Sequence, residues 1–96
     1  MRGGNVSDFV DHTTYEECAV RYQGVKYFFH GLIFDTDKKE YSYVIDIWDN
    51  CGNYIQTIFN QTASSADKCL KLAQNAPVFN GKTFWEAEPD MEWVEW

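Results

Sequence analysis

Ninety-six residues suffice for one domain around a single core, and side chains that are 45% hydrophobic and 18% aromatic can fill it. A net charge of −7, with the bases scattered, excludes nonspecific binding to nucleic acid or to an anionic membrane face, since both need clustered Lys and Arg. Three widely spaced cysteines (Cys18, Cys51 and Cys69) exclude a disulfide framework, and with no secretion signal and no ~20-residue apolar run in view, the expected location is the cytoplasm.

Leucine is scarce while Ile, Val, Tyr and Phe dominate, which predicts a β-rich domain. Residues 1–14 are polar, with glycine near the start, and are expected to be a loosely ordered arm in which Phe9 and Val10 can pack. Residues 15–96 are expected to form a single α+β domain. Residues 17–23 alternate: Cys18, Val20 and Tyr22 fall on one side, Glu17, Ala19 and Arg21 on the other. That period of two predicts a strand. A helix competes, capped by Thr14 with Glu17 and closed by Gly24. The strand is favoured because Gln23-Gly24 makes a tight turn into a second strand, residues 25–34. That second strand has bulky apolar groups on both faces, as a central strand covered on both sides would. Residues 35–39 turn the chain, residues 41–48 alternate as a third strand, residues 49–53 turn again, and residues 54–60 are a fourth strand.

The period changes after Thr62. Ala66, Cys69, Leu70 and Ala73 fall at i, i+3, i+4 and i+7 on one helix face, which Leu72 and Ala76 widen. Thr62, Ser64 or Ser65 can cap the start, and Asn75 before Pro77 marks the end. Asn80-Gly81 signals a type I′ turn between Val78-Phe79 and Lys82. In the tail, Trp85, Ala87, Met91 and Trp93 stand on odd positions, and Glu86, Glu88, Asp90 and Glu92 on even ones. This predicts a strand with Trp85 and Trp93 turned inward and an acidic stripe turned outward. It belongs at a sheet edge or bend, because Pro89 cannot donate to a ladder. The phase slips after Trp93, so Trp96 is the tryptophan expected to be most exposed. The predicted fold is therefore α+β: a four-stranded antiparallel meander, one α-helix packed on the sheet, and a C-terminal β-hairpin with an edge strand.

Residues 76–83 match a relaxed phosphate loop. A helix precedes them, however, Pro77 and Phe79 stiffen the loop, and Glu86 and Glu88 would repel phosphate. Asp35, Asp37 and Glu40 resemble half a calcium loop, yet lysines stand where ligands or glycine belong. His30 shares a strand face with Phe28 and Leu32 and reads as a satisfied core or interface histidine. No Cys-x-x-Cys or His-x-x-x-His spacing suggests a metal. No catalytic residue, cofactor or metal is assigned.

Four Trp, six Tyr and seven Phe are many for one helix and one sheet to hide. Some are expected at the surface, where Trp and Tyr anchor partners. The expected function is thus a small acidic, non-enzymatic module that binds a protein with a basic surface through Trp48, Glu86, Glu88, Asp90, Glu92 and Trp96. Its specific form is an inhibitor occupying a basic nucleic-acid-binding groove. Acids on alternate strand residues fall one per ~6.7 Å, against one duplex charge per ~1.7 Å, so acids from elsewhere would have to join them. The alternative is a small-ligand module that holds a sugar or planar group on stacked aromatics. Nucleic acid and membrane are not expected as direct partners. A homodimer through the C-terminal edge strand is compatible with each reading.

Overall fold

The computed structural model describes residues 1–94. Within them the chain is α+β: a six-stranded antiparallel sheet with three α-helices, in place of the expected four-stranded meander with one helix. Strands β1 (Cys18–Tyr22) and β2 (Val25–Phe29) are joined by Gln23-Gly24. Both turn residues have positive φ, 51° and 76°, the mirror-type geometry that matches the twist of paired strands. The expected single strand over residues 25–34 is broken at His30–Leu32. Gly31 has φ +82°, and a Cβ there would lie 3.0 Å from the Glu16 carbonyl oxygen, so the chain can bend here only on glycine. It resumes as β3 (Ile33–Asp35), and both β2 and β3 pair with β4 (Glu40–Trp48). Strand β5 (Tyr54–Ala63) takes the other side of β4. The last strand, β6 (Glu92–Val94), pairs with β1 at the far edge.

Residues expected to be a loose arm instead form helix α1 (Val6–Tyr15). Asn5 caps it, accepting the Ser7 N–H at 2.8 Å. Val6, Phe9, Val10 and Thr13 fall on one face, and Phe9 and Thr13 are buried. Helix α2 (Ala66–Asn75) lies where its spacing predicts, with Ser65 accepting the Lys68 N–H and Cys69 and Ala73 buried on the sheet. Leu70 is only partly buried.

The tail is the largest correction. Thr83 and Glu86 form a reciprocal capping box, so the chain enters helix α3 (Phe84–Ala87) and then a 3₁₀ turn (Glu88–Asp90) where a strand was expected. Phe84, Ala87 and Met91 are the buried residues, at i, i+3 and i+7. The type I′ turn at Asn80-Gly81 forms as expected, with φ of 54° and 80° and Phe79 and Lys82 exchanging both backbone hydrogen bonds, but the flanking strands of the expected hairpin are reduced to that single bridge.

The core lies on one face of the sheet. Phe9, Phe29, Phe79 and Phe84 interlock there with Tyr27, Tyr43 and Ile45, beneath the helices. The outer side of β6 is covered by the start of the chain: the Arg2 N–H donates to the Met91 carbonyl and the Trp93 N–H to the Arg2 carbonyl, both at 2.8 Å. No helix of the described residues is long and apolar enough to cross a membrane.

Candidate functional site

The face of the sheet away from the helices is shaped by two β-bulges. Ile45 pairs with Phe59 but Asp46 with Thr57, which leaves Ile58 extra; Ile47 pairs with Gln56 but Trp48 with Tyr54, which leaves Ile55 extra. Each extra residue shifts the side-chain alternation by one. Phe59 points into the core, and Thr57, two residues away, would follow it without the first bulge. Instead Thr57 lies beside Asp46 on the opposite face. The second bulge brings Tyr54 to that face as well.

A chain of polar contacts results. His30 Nε2 lies 2.5 Å from Asp46 Oδ2. The Thr57 hydroxyl donates to Asp46 Oδ1 at 2.7 Å, and the Tyr54 hydroxyl is 2.9 Å from Thr57 Oγ1. Thr57 has one proton, which goes to Asp46, so Tyr54 is the donor in the last link. Asp46 is 5% exposed, and a carboxylate that buried is tolerable only with such partners. Aromatic rings frame the chain: Phe28 lies edge-on to His30 at 4.7 Å, and Trp48 is 6.1 Å from Phe28 and 6.0 Å from Tyr54. A carboxylate that orients an imidazole is half of an acid–base device. Here both hydroxyls bind on the carboxylate side, away from the imidazole. The arrangement is a fixed polar platform beside an aromatic rim.

Of the sequence-predicted partner residues, Trp48 lies on β4 and the acids on the consecutive elements α3, the 3₁₀ turn and β6. Trp48 sits, partly buried, in the cluster just described. Glu86 is exposed, and the Thr83 N–H that donates to it at 3.0 Å holds its carboxyl below the ordinary glutamate range. Glu88 lies 3.1 Å from the Met1 amino group, and Glu92 is 3.7 Å from Arg21 on the neighbouring strand. Asp90 is exposed, and its backbone carbonyl accepts from Arg2. Of the two tryptophans expected to turn inward, Trp93 packs against Phe9, whereas Trp85 is 47% exposed. Trp96 lies outside the described residues. The half calcium loop is a capped turn, in which Asp35 accepts the N–H groups of Asp37 and Lys38. Among the described residues, no group of three or more His, Cys, Asp or Glu side chains is placed to hold a metal ion.

A surface absent from the sequence reading lies on α1. Asp8, Asp11 and Tyr15 share its outer side, at i, i+3 and i+7, and Glu16, the extended C-cap residue, lines the same surface. Tyr15 is 83% exposed, and His12 Nε2 is 3.0 Å from Glu16. The signal was present in the sequence: the spacing of Val6, Phe9, Val10 and Thr13 implies a helix, and a helix implies an opposite, polar side.

The three thiols are free and differ sharply. Burial, with a smaller push from the Glu16 charge, raises Cys18 to about 12, and burial raises Cys69 too. Cys51 is exposed in the 49–53 turn, where Asp49 accepts its N–H at 2.9 Å. N-ethylmaleimide at pH ~8, near the ordinary thiol range, is expected to add rapidly to Cys51 alone. Intact mass should show one adduct in the folded protein and three after denaturation. A second rapid adduct on the folded protein would contradict the burial of Cys18 and Cys69.

No protein-family model, curated protein or solved structure matches this chain.

Proposed function

We propose that the protein is a non-enzymatic binding module whose partner is a protein with a basic surface. The observation that carries this reading is Tyr15, which a ten-residue helix holds 83% exposed among Asp8, Asp11 and Glu16. A tyrosine on a rigid element loses little entropy on burial and is favoured at the centre of interfaces. Acids around it raise the encounter rate with a basic patch and fix orientation. The net charge of −7 acts in the same direction. A groove that normally holds nucleic acid presents such a surface, and an inhibitor seated in it is the specific form of the proposal. The free thiols suit a reducing cytoplasm.

Affinity capture from the native host, read by mass spectrometry, tests this with wild type, Asp8→Lys/Asp11→Lys and Tyr15→Ala. Wild type should hold proteins with basic surfaces at low salt and release them as ionic strength rises and the screening length falls below ~10 Å. Both variants should melt like wild type yet capture those proteins about tenfold less. Equal capture by all three refutes the reading.

The small-ligand alternative is supported by the His30–Asp46–Thr57–Tyr54 chain, which supplies fixed polar groups beside the rings of Phe28 and Trp48. Tyr54→Phe with Thr57→Val separates the two readings. It should abolish ligand binding under the alternative and leave protein capture intact under the proposal.

A further inference from the structure

Strand β5 is a sheet edge: among the described residues, its strand partner is β4 alone. Its ten residues, YIQTIFNQTA, carry no charge and no proline. Sheet edges are usually blunted by charge, by proline or by a cover. That holds elsewhere in this sheet. Strand β6 carries Glu92 and has Arg2 bonded along its outer side, and β3 is three residues long and ends in Asp35. On β5 the bulges at Ile55 and Ile58 disturb one end, but residues 59–63 keep regular register with β4. Beside this regular stretch runs an open, largely apolar groove between β5 and α2, whose lining includes Phe59, Ala63, Leu72 and Ala76 with Lys68 and Lys71, the latter paired with Asp67 at 3.0 Å. Leu72 is 47% exposed at its rim.

We propose that β5 pairs with β5 of a second copy, antiparallel about a two-fold axis at Gln61. Phe59 of each copy then faces Ala63 of the other on the helix side, a large residue against a small one. Asn60 faces Thr62 on the opposite side, an amide against a hydroxyl. Helix α2 packs on both β4 and β5, so its axis lies over the line between them. With strands ~4.8 Å apart, the two α2 helices come to lie roughly 10 Å apart, within helix-packing distance. The two-fold makes them antiparallel and sets Leu72 against Leu72, which closes the groove. Lys68 of each copy reaches the C-terminal end of the other's α2, a last turn that has no basic residue of its own.

Self-complementarity points to a second copy as the occupant: pairing about Gln61 sets large against small and amide against hydroxyl, and each Lys68 against a helix end without a base. Two chains that each carry −7 pair best where no carboxylate is brought against another, and β5 is the uncharged edge. This surface is separate from the outer side of α1, so its test is independent of the basic partner.

Sedimentation equilibrium from ~10 μM to ~1 mM, which brackets association constants down to about 10³ M⁻¹, should show a species of twice the 11.2 kDa chain mass. Gln61→Lys places two like charges on the two-fold axis, and Leu72→Asp places two in the helix contact. Either variant, if circular dichroism shows it folded, should weaken self-association about tenfold or more. Gln61→Lys lowers the net repulsion between copies, so weaker pairing in that variant reports the contact and not overall charge. A wild type that stays monomeric at ~1 mM, or a dimer unmoved by every folded variant, overturns the proposal. A monomer that takes up an extended apolar peptide along β5 overturns it as well, in favour of strand addition by a foreign chain.

Discussion

Phe9→Ala is expected to destabilise the protein by about 3–5 kcal/mol, the range for removing a fully buried aromatic ring. Phe9 is 1% exposed and bridges elements that are far apart in the chain. Its ring meets Phe29 edge-on at 5.3 Å, stacks on Phe84 at 5.8 Å and meets Trp93 edge-on at 5.2 Å. Truncation would remove contacts to β2, α3 and β6 together and leave a cavity between helices and sheet. Because ~1 kcal/mol moves the melting midpoint by about 4–8 °C in a domain of this size, the loss should appear as a fall of more than about 10 °C. A Phe9→Ala midpoint within ~4 °C of wild type would mean that α1 is not docked, and that residues 1–14 are the loose arm that their composition suggests.

The tryptophans of the tail should separate in the same assay. Trp93→Ala is expected to cost about 3 kcal/mol, the lower end of the range for a buried Trp. Its ring packs on Phe9 and His12, and a Cβ on Gly4 would lie 2.5 Å from it, so the start of the chain crosses directly over the indole. Trp85→Ala is expected to cost about 1 kcal/mol or less, because its ring is 47% exposed and rests mainly on Phe84. Iodide quenching of single-tryptophan variants gives an independent reading: Trp85 should quench freely and Trp93 poorly. Equal quenching, or a larger loss of stability at Trp85 than at Trp93, would restore the strand in which both rings turn inward and would count against α3.

Trp85 shows how far a repeating pattern can be trusted. Ala87 and Met91 are buried, as the odd-position strand requires, but they are four residues apart and fit a helical turn equally well. Thr83 and Glu86 break the tie. Their three-residue spacing is a capping box, and it turns the following residues into a helix with Trp85 on the outside. The helix at Val6–Tyr15 was legible in the same way, from Asn5 and the spacing of its apolar residues, beneath a composition that reads as a loose arm.

The local signals determined the β1–β2 turn at Gln23-Gly24, the alternation of β4 and the whole of α2, because a turn, a period of two and a period of 3.6 each depend on neighbours within a few residues. The pairing of chain segments decided the rest. Which face of the sheet the helices cover, how Arg2 shields β6, and where β5 gains its two extra residues are properties of register between strands. His30 and Asp46 are sixteen residues apart, and Asp46 and Thr57 eleven. Thr57 and Tyr54 join them only because bulges at Ile58 and Ile55 reverse the alternation twice. A bulge leaves no mark in a strand's own period: it exists only against the partner strand, which is why the polar chain on the helix-free face came from the tertiary structure alone.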